Sequence, residues 1–346
     1  MLKRTSHSPT LKFLFLVIYI SFVAEVGLRS ISYFINVYDI EMLKYAKKLK
    51  IISKNSNLSH EHIPNSEAKL MGVNIELNSL GHRNKDILEK KSKDEYRIHI
   101  IGSSMTLGWG VKKEKIFPSI LEKKLNQNEF IKESYDSIKV INAGIGNTNT
   151  LHHYYLFKNQ YMLTKPDTLV LQYFINDAEI IKKKKNNQII KTSYFAAFLY
   201  QQILSFSFSG SLDNYYEDLY SDNSTGWLVV KDSIKKLKEL SENNNINFII
   251  MIIPDLHNFS NNNELIALYK KIDNEFSKIG IPVVNTYKSL SNKFKNKAVE
   301  SWVSKSDAHP NAKAHEIISN DLYNFINAFD EPYKGSSTFL NSGNFG

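Results

Sequence analysis

The sequence predicts an α/β protein in which a sheet of five parallel strands is covered by helices on both faces, with a membrane-anchor helix at the N-terminus. Beyond residue 95, short β-rich runs alternate with helix-like segments, a pattern typical of βαβ units. The central runs TLVLQYF and NFIIMIIP are almost continuously apolar, as expected for strands buried on both faces.

An apolar run near the N-terminus predicts the anchor. The stretch FLFLVIYISFVA at 13–24 is uncharged but short for a full span. No small-residue cleavage site follows and apolar residues continue, so an uncleaved anchor at 13–35 is favoured over a cleaved signal peptide or a buried helix. Basic residues precede the run, which predicts a cytoplasmic tail at 1–12 and export of the remainder to the periplasmic or extracellular side. These basic residues are Lys3, Arg4 and Lys12.

The remaining segments follow in order along the chain. Residues 36–94 are interpreted as a lead-in segment, and residues 331–346 as a C-terminal tail. The stretch 180–226 is rich in aromatic residues and is interpreted as an insertion over the ligand end of the sheet, with an extra packed helical hairpin as the alternative. The predicted strands are Arg97–Ile101, Ile138–Asn142, Thr168–Phe174, Phe248–Ile253 and Ile281–Val284, and the helix-like segments begin at Phe117, Thr150, Trp227 and Glu264.

Composition excludes several classes of function. The 346 residues are 42% apolar, which is ordinary for a globular protein. The net charge of +9 comes from scattered Lys and Arg residues. Its one dense run, Lys182–Lys185, is interpreted as a solvated loop, so no nucleic acid is expected as a partner. The absence of cysteine excludes a thiolate nucleophile. The His and carboxylate spacing suggests no metal, and no cofactor is expected.

Polar residues collect where the predicted strands end. Ligands of an open parallel sheet bind outside the carboxyl ends of its strands. The first strand is followed by Gly-Ser-Ser with Ser103 and Ser104, the second by NAGIGNTNT, and the third by Asn176. Late in the chain, SDAHPN precedes a predicted helix. A hydroxyl, glycine amides, a carboxamide, an imidazole and a carboxylate are therefore expected at one edge.

These groups are the ones that nucleophilic acyl transfer needs. A serine hydroxyl requires a base within hydrogen-bond reach, and His309 is the candidate base with Asp307 as the group that orients it. The oxyanion requires preorganised donors. Candidates are the Ser104 backbone N–H, a glycine N–H of the second loop and the Asn176 amide.

Four sequence blocks resemble those of the SGNH (GDSL-type) hydrolases. GSSMTLGWG, NAGIGN, IND and DAHPN occur in the family's order, and the resemblance covers about residues 97–329. It implies a flavodoxin-like three-layer domain at 95–330, and the lead-in with NSLGHR is similar to the exported members that have a single anchor. It also implies that Ser104 is the nucleophile, Asn176 the oxyanion amide and His309 the base.

The chain departs from the family pattern at several positions. Ser103 stands where the family usually has Asp, and Phe174-Ile175 where a glycine is common. The second block is one residue short, so the oxyanion glycine is Gly146 or Gly144, with Gly146 favoured because polar residues follow it. The carboxylate precedes the histidine by two residues rather than three, which makes Asp307 the candidate acid.

Several alternatives remain open at the level of sequence. The leading hypothesis is a serine esterase that removes O-acyl groups, with an acylated small molecule or carbohydrate as substrate and acetyl groups on carbohydrate as the favoured case. A carbohydrate O-acetyltransferase would use the same residues, and a non-catalytic SGNH-like binding module is a third hypothesis. Taken singly, Ser103, Ser104 or Asp307 could be a helix cap. His152 and His153 are interpreted as packing or surface residues, His315 as at most a support of the site, and His257 as a weaker candidate at the ligand end.

Overall fold

The computed structural model describes residues 8–87, 90–181, 192–206, 212–259 and 265–328. It divides into two compact units, one formed by 1–47 with 185–209 and the other by 48–184 with 210–346. The basic run Lys182–Lys185 and the predicted tail at 331–346 lie outside the described residues, as do Glu264 and Phe329.

The first unit contains three helices among its described residues: α1 (Pro9–Ile31), α2 (Tyr38–Lys48) and α7 (Tyr194–Phe206). Helix α1 begins after Ser8, whose hydroxyl accepts the Leu11 N–H. Pro9 fits in the first turn because the backbone N–H that proline lacks would have no partner within the helix there. The helix therefore starts and ends four residues earlier than the predicted anchor at 13–35. It has 23 residues, and an 18-residue stretch of it has a mean hydropathy of 2.1, so the helix is long and apolar enough to cross a membrane.

The lead-in within the second unit is more ordered than its irregular sequence suggests. It forms two antiparallel hairpins, and its NSLGHR turn buries Asn78, His82 and Arg83. The hairpin strands are β1 (Lys50–Ile52), β2 (His60–His62), β3 (Glu67–Leu70) and β4 (Val73–Glu76).

The central sheet has five strands that all run parallel, as predicted. They are β5 (Glu95–Gly102), β6 (Ser137–Gly144), β7 (Thr168–Tyr173), β8 (Asn247–Ile252) and β9 (Val283–Asn285). Their order is β6-β5-β7-β8-β9, the flavodoxin-like 2-1-3-4-5 arrangement, in which the ligand crevice lies where the first and third strands adjoin. The predicted fold class is confirmed.

Helices cover both faces of the sheet. Successive strand residues enter opposite cores, so that Val170 and Met251 pack on one face while Leu171 and Ile250 pack on the other. The first face carries α4 (Phe117–Gln127), α11 (Tyr287–Phe294) and α12 (Ala312–Ala328), and the second carries α6 (Thr150–Thr164), α9 (Thr225–Glu242) and α10 (Leu265–Lys278). Shorter elements are α3 (Ser104–Leu107), α5 (Glu129–Lys132), α8 (Leu212–Leu219), a 3-10 turn at Ile175–Ala178 and the hairpin of β10 (Trp302–Ser304) and β11 (Asp307–Pro310).

Buried histidines predict that acid destabilises this unit. Burial lowers the pKa of His62 and His153 to about 3 and that of His82 to about 4, from an ordinary value of 6.5. The folded chain keeps these side chains neutral, whereas the unfolded chain protonates them below pH 6.5. We expect the unfolding free energy to fall as the pH drops from 6.5 toward 4, by up to about 1.4 kcal/mol per pH unit for each such histidine.

Denaturant titrations of the protein at a series of pH values measure this effect. The variant His153→Phe keeps a buried ring and removes one titrating group, since His153 Nε2 has no hydrogen-bond partner among the described residues. It should show a shallower pH dependence than the parent. An unfolding free energy that stays constant or rises as the pH falls from 6.5 would contradict the assignment of these side chains as neutral.

Candidate active site

Ser104 is the first residue of α3, directly beyond the carboxyl end of β5. Ser103 is the N-cap of this short helix, and its hydroxyl accepts the Met105 N–H at 3.4 Å. Gly108 ends the helix with a φ of +76°, a left-handed conformation that glycine adopts without strain. The capping role therefore belongs to Ser103, which leaves the partly exposed Ser104 hydroxyl available at the helix N-terminus.

A buried glutamine helps to hold the loop at Ser103, the position at which the SGNH motif has Asp. Gln172 Oε1, on the neighbouring strand β7, accepts the Ser103 N–H at 3.0 Å, the Ser103 hydroxyl at 3.1 Å and the Thr106 hydroxyl at 3.1 Å. A Cβ on Gly102 would collide with the Thr106 and Gln172 side chains. Ser103 is thus part of a local network that orients the loop.

Arg83, from the lead-in, binds the other end of the same loop. Its guanidinium donates to the carbonyl oxygens of Leu107, Gly108 and Val111, each at 2.8 Å. The side chain is buried, and burial lowers its pKa to about 10. A cation at the C-terminus of α3 satisfies carbonyl groups that a helix end leaves unpaired. The NSLGHR turn indicates only a family resemblance at the level of sequence and carries no signal of this contact.

The structure brings Ser104, His309 and Asp307 together in one hydrogen-bonded chain. Ser104 Oγ lies 2.8 Å from His309 Nε2, although 205 residues separate the two. His309 Nδ1 lies 2.5 Å from Asp307 Oδ1, and this oxygen also accepts the His309 backbone N–H at 3.1 Å. Strand β11 carries both residues, so the two-residue spacing places carboxylate and imidazole side by side.

Asp307 is buried, and its second carboxylate oxygen also has a partner. Trp109 Nε1 donates to Asp307 Oδ2 at 2.9 Å. Burial alone would raise the pKa of this carboxyl group, but hydrogen bonds from His309 and Trp109 and the nearby imidazole outweigh it and hold the pKa below its usual value. The charged form is therefore stabilised beside His309. The tryptophan of GSSMTLGWG is a supporting residue that sequence reasoning did not assign.

Asp307 does not cap the last helix, an alternative that the sequence left open. Helix α12 begins at Ala312, and Asn311 Oδ1 accepts the N–H groups of Lys313 and Ala314. The capping function lies with Asn311, so the Asp307 carboxylate is committed to His309 and Trp109.

The two candidate oxyanion glycines have different environments. Gly144 ends β6, opposite Gly102 of β5, and its N–H donates to Asn142 Oδ1 at 3.1 Å. A Cβ there would collide with the backbone of Leu107, so the glycine is required for packing against α3. Gly146 lies in the loop beyond the strand end.

The Gly146 carbonyl oxygen is held by the β1–β2 hairpin. Lys50 Nζ donates to it at 2.6 Å and His60 Nε2 at 3.0 Å. Burial lowers the pKa of His60 to about 2, so the imidazole is neutral. Its Nδ1 accepts the Ser59 hydroxyl at 2.7 Å, which leaves the proton on Nε2. The lead-in therefore orients the peptide that follows Gly146, a role not expected from the sequence.

Asn176 lies in the 3-10 turn beyond β7, and a tyrosine orients its amide. Tyr216, on α8, donates its hydroxyl to Asn176 Oδ1 at 2.6 Å. Because the amide oxygen is engaged, the Nδ2 hydrogens point away from Tyr216. The aromatic stretch at 180–226 thus supplies a residue that contacts the candidate oxyanion amide.

The other histidines named from the sequence have mainly structural surroundings. His152 and His153 are buried in α6, and His315 is buried against Phe117, whose N–H donates to its Nδ1. His257 follows β8 and is exposed, with its Nδ1 2.8 Å from Asp255 Oδ1 and its ring against Trp302. Among the residues that the structure describes, no group of three His, Asp or Glu side chains is placed to hold a metal ion.

No protein-family model and no curated protein matches the sequence significantly. Forty-five chains of solved structures match the fold. One is a protein of Desulfitobacterium hafniense DCB-2 described as lipolytic and of the G-D-S-L family, with 14% identity and a TM-score of 0.40; the match covers 66% of this chain and 98% of that one.

Two further matches are described as esterases. An acetylxylan esterase of Geobacillus stearothermophilus, solved as a catalytic mutant, has 12% identity and a TM-score of 0.43, over 69% of this chain and 96% of that one. A psychrotrophic esterase of a Pseudoalteromonas species has 15% identity and a TM-score of 0.38, over 67% and 97% respectively. Identities and TM-scores this low carry no inference about function, which depends on the side chains of the site.

The Asp307–His309 contact predicts a large effect of Asp307→Asn. The amide cannot provide the charge that stabilises an imidazolium, and it can favour the wrong imidazole tautomer, so we expect kcat for an acetyl ester to fall by about two or more powers of ten. His309→Ala should be at least as damaging. A near-normal rate for Asp307→Asn beside an inactive His309→Ala would reduce the site to a Ser-His pair.

The Tyr216–Asn176 hydrogen bond predicts that Tyr216→Phe lowers kcat with little change in KM. Without the hydroxyl the amide is free to rotate, and loss of about 1 kcal/mol of orientation corresponds to a several-fold lower rate. The neighbouring Tyr215 bonds to Glu179 instead, so Tyr215→Phe is the matched control. Equal kcat values for the two variants, or a change confined to KM, would argue against an orienting role.

Proposed function

We propose that this chain is a serine esterase of the SGNH type that removes O-acyl groups through an acyl-enzyme intermediate. The observation that carries the proposal is the continuous hydrogen-bonded chain from Ser104 Oγ through the His309 imidazole to the buried Asp307 carboxylate. This arrangement supplies a nucleophile, a base and a group that orients the base, the three parts of nucleophilic acyl transfer.

The reaction follows from these positions. Ser104 Oγ attacks the ester carbonyl carbon while its proton passes to His309 Nε2. Collapse of the tetrahedral intermediate breaks the bond to the alcohol oxygen, which takes the proton from His309. Water then gives a proton to His309 and attacks the acyl-serine, and the carboxylic acid leaves as Ser104 recovers its proton. Asp307 stabilises the imidazolium at each stage.

For the oxyanion we propose the N–H groups of Ser104 and Gly146 and the side-chain amide of Asn176. All three follow the adjacent strands β5, β6 and β7 at their carboxyl ends. Gly146 is preferred to Gly144 because the Gly144 N–H already donates to Asn142. The Tyr216 hydroxyl on Asn176 Oδ1 supports the choice of Asn176, since it leaves the amide N–H groups to donate.

The proposed substrate is an O-acetyl group on a carbohydrate. The resemblance of the four motif blocks motivates this class, and Phe174 with Ile175 in place of the usual glycine favours a short acyl chain over a long one.

We further propose that α1 is an uncleaved anchor and that the domain at 95–330 acts on the exported side. The length and apolar composition of α1 support the anchor. The basic residues ahead of 13–24 support an N-terminus on the cytoplasmic side.

Paired serine variants test this proposal. Ser104→Ala should abolish hydrolysis of p-nitrophenyl acetate and labelling by a fluorophosphonate. Ser103→Ala should only weaken both, since it loses one cap and one bond to Gln172. Fluorophosphonate labelling that survives in Ser104→Ala and disappears in Ser103→Ala would show that the wrong hydroxyl was chosen.

The same assay decides between hydrolysis and transfer. Acetyl esters should be hydrolysed faster than longer esters, and added oligosaccharide should not divert the acyl group. Acetylated oligosaccharide formed in place of acetate would identify an acetyltransferase that uses the same residues. Absence of both hydrolysis and fluorophosphonate labelling in the parent protein would favour the binding module.

A further inference from the structure

The last turns of α1 are joined to the start of α7 by a set of polar contacts. The Glu25 carboxylate accepts the Ser193 hydroxyl at 2.8 Å and the N–H groups of Tyr194 and Phe195 at 3.2 and 2.8 Å. It therefore occupies the N-terminus of α7, where a helix leaves donors unpaired. Arg29 pairs with the same carboxylate.

Arg29 adds a second connection on the same side. Its Nη2 donates to the Thr192 carbonyl at 2.9 Å, and its guanidinium lies 4.6 Å from the centre of the Tyr194 ring. These contacts join residues more than 160 positions apart in sequence. Helix α7 thus begins at the level of the last turns of α1, next to the two charges that follow the apolar run.

The direction of α7 follows from its other end. The Gln202 side chain is hydrogen-bonded to Asp39 at the start of α2, which is beyond the end of α1. Residues 9–20 of α1 are all exposed, so α7 does not run back along the first half of this helix. The 13 residues of α7 are about 20 Å long, which is too short for the hydrocarbon core of a bilayer.

Large apolar side chains are exposed on α7 and just after the end of α1. On α7, Leu199, Tyr200 and Ile203 are 46%, 37% and 57% exposed. Just after α1, a second group of large apolar side chains is more exposed still, namely Tyr33, Phe34 and Ile35. Aromatic residues next to a charged pair at the end of an apolar helix are typical of a membrane–water interface.

We propose that α7 is an interfacial helix that lies in the headgroup region of the bilayer, with Leu199, Tyr200 and Ile203 inserted among lipid acyl chains. The inference rests on the proposed anchoring by α1. A lipid surface is the occupant that fits because Glu25 and Arg29 hold the start of α7 at the end of α1, the proposed anchor, which has no buried residue in the structure. Helices that lie at the interface insert apolar side chains at the boundary between headgroups and acyl chains. In sequence, α7 lies between β7 and β8 of the α/β domain. In this proposal it is the second membrane contact of the chain.

The absence of native cysteine permits a direct test on the full chain. Single variants Leu199→Cys and Ile203→Cys are labelled with an environment-sensitive fluorophore and the protein is placed in phosphatidylcholine–phosphatidylglycerol nanodiscs. Lipids that carry a spin label near the headgroup should quench both probes several-fold, and more strongly than lipids labelled near the chain end. Ile18→Cys, in the middle of α1, should show the opposite depth preference.

Val299→Cys is the matched negative control, because Val299 is an apolar side chain, 49% exposed, outside this unit. Quenching at Ile18 without quenching at Leu199 and Ile203 would overturn the interfacial placement of α7 and leave the anchor intact. Absence of quenching at all positions would overturn both. Neither outcome depends on ester hydrolysis, so the proposed catalytic function is judged separately with the Ser104 variant.

Discussion

The hydrogen bond between Ser104 Oγ and His309 Nε2 is the interaction on which the rest of the site depends. It joins the loop beyond the first strand of the sheet to the hairpin before the last helix, and it forms only if both segments are placed to within a few tenths of an ångström. The parallel sheet provides the coarse placement, since the carboxyl ends of β5, β6 and β7 lie side by side. Packing at Gly102 and Gly144 provides the fine placement, because a Cβ at either position would displace the loop that carries Ser104.

Residues to which the sequence patterns gave no role in the site supply much of the support. Arg83 binds carbonyl groups of the loop that follows Ser104, Gln172 binds Ser103, and Trp109 binds the carboxylate of Asp307. Each is a buried polar side chain whose hydrogen bonds offset part of the cost of its removal from water. Deleting one partner would leave the other unsatisfied, so these residues constrain the geometry of the triad rather than merely surround it. The lead-in, which the sequence suggests only as a connection, is in this sense part of the site.

The positions at which the sequence differs from the SGNH motifs that it resembles have physical compensations in the structure. With serine in place of the usual aspartate at 103, the loop is held through a neutral network centred on Gln172 Oε1. With the carboxylate two residues before the histidine, the extended strand β11 brings Asp307 Oδ1 to both the imidazole and the backbone N–H of His309. The shorter spacing therefore still permits the carboxylate–imidazole contact that an orienting acid requires.

The sequence by itself determined the alternation of strands and helices in the parallel α/β sheet, and it singled out Ser104, His309 and Asp307, which lie together in the structure. Both depend on local patterns: apolar periodicity reports burial, and polar residues at strand ends report the edge where ligands bind. Only the tertiary structure decided that Arg83, Trp109 and Tyr216 contact the site, that Ser103 and Asn311 are the helix caps, and that Glu25 joins α1 to α7. Such contacts connect residues far apart in sequence, and a single side chain carries no local signal of the partner it will meet after the chain has folded.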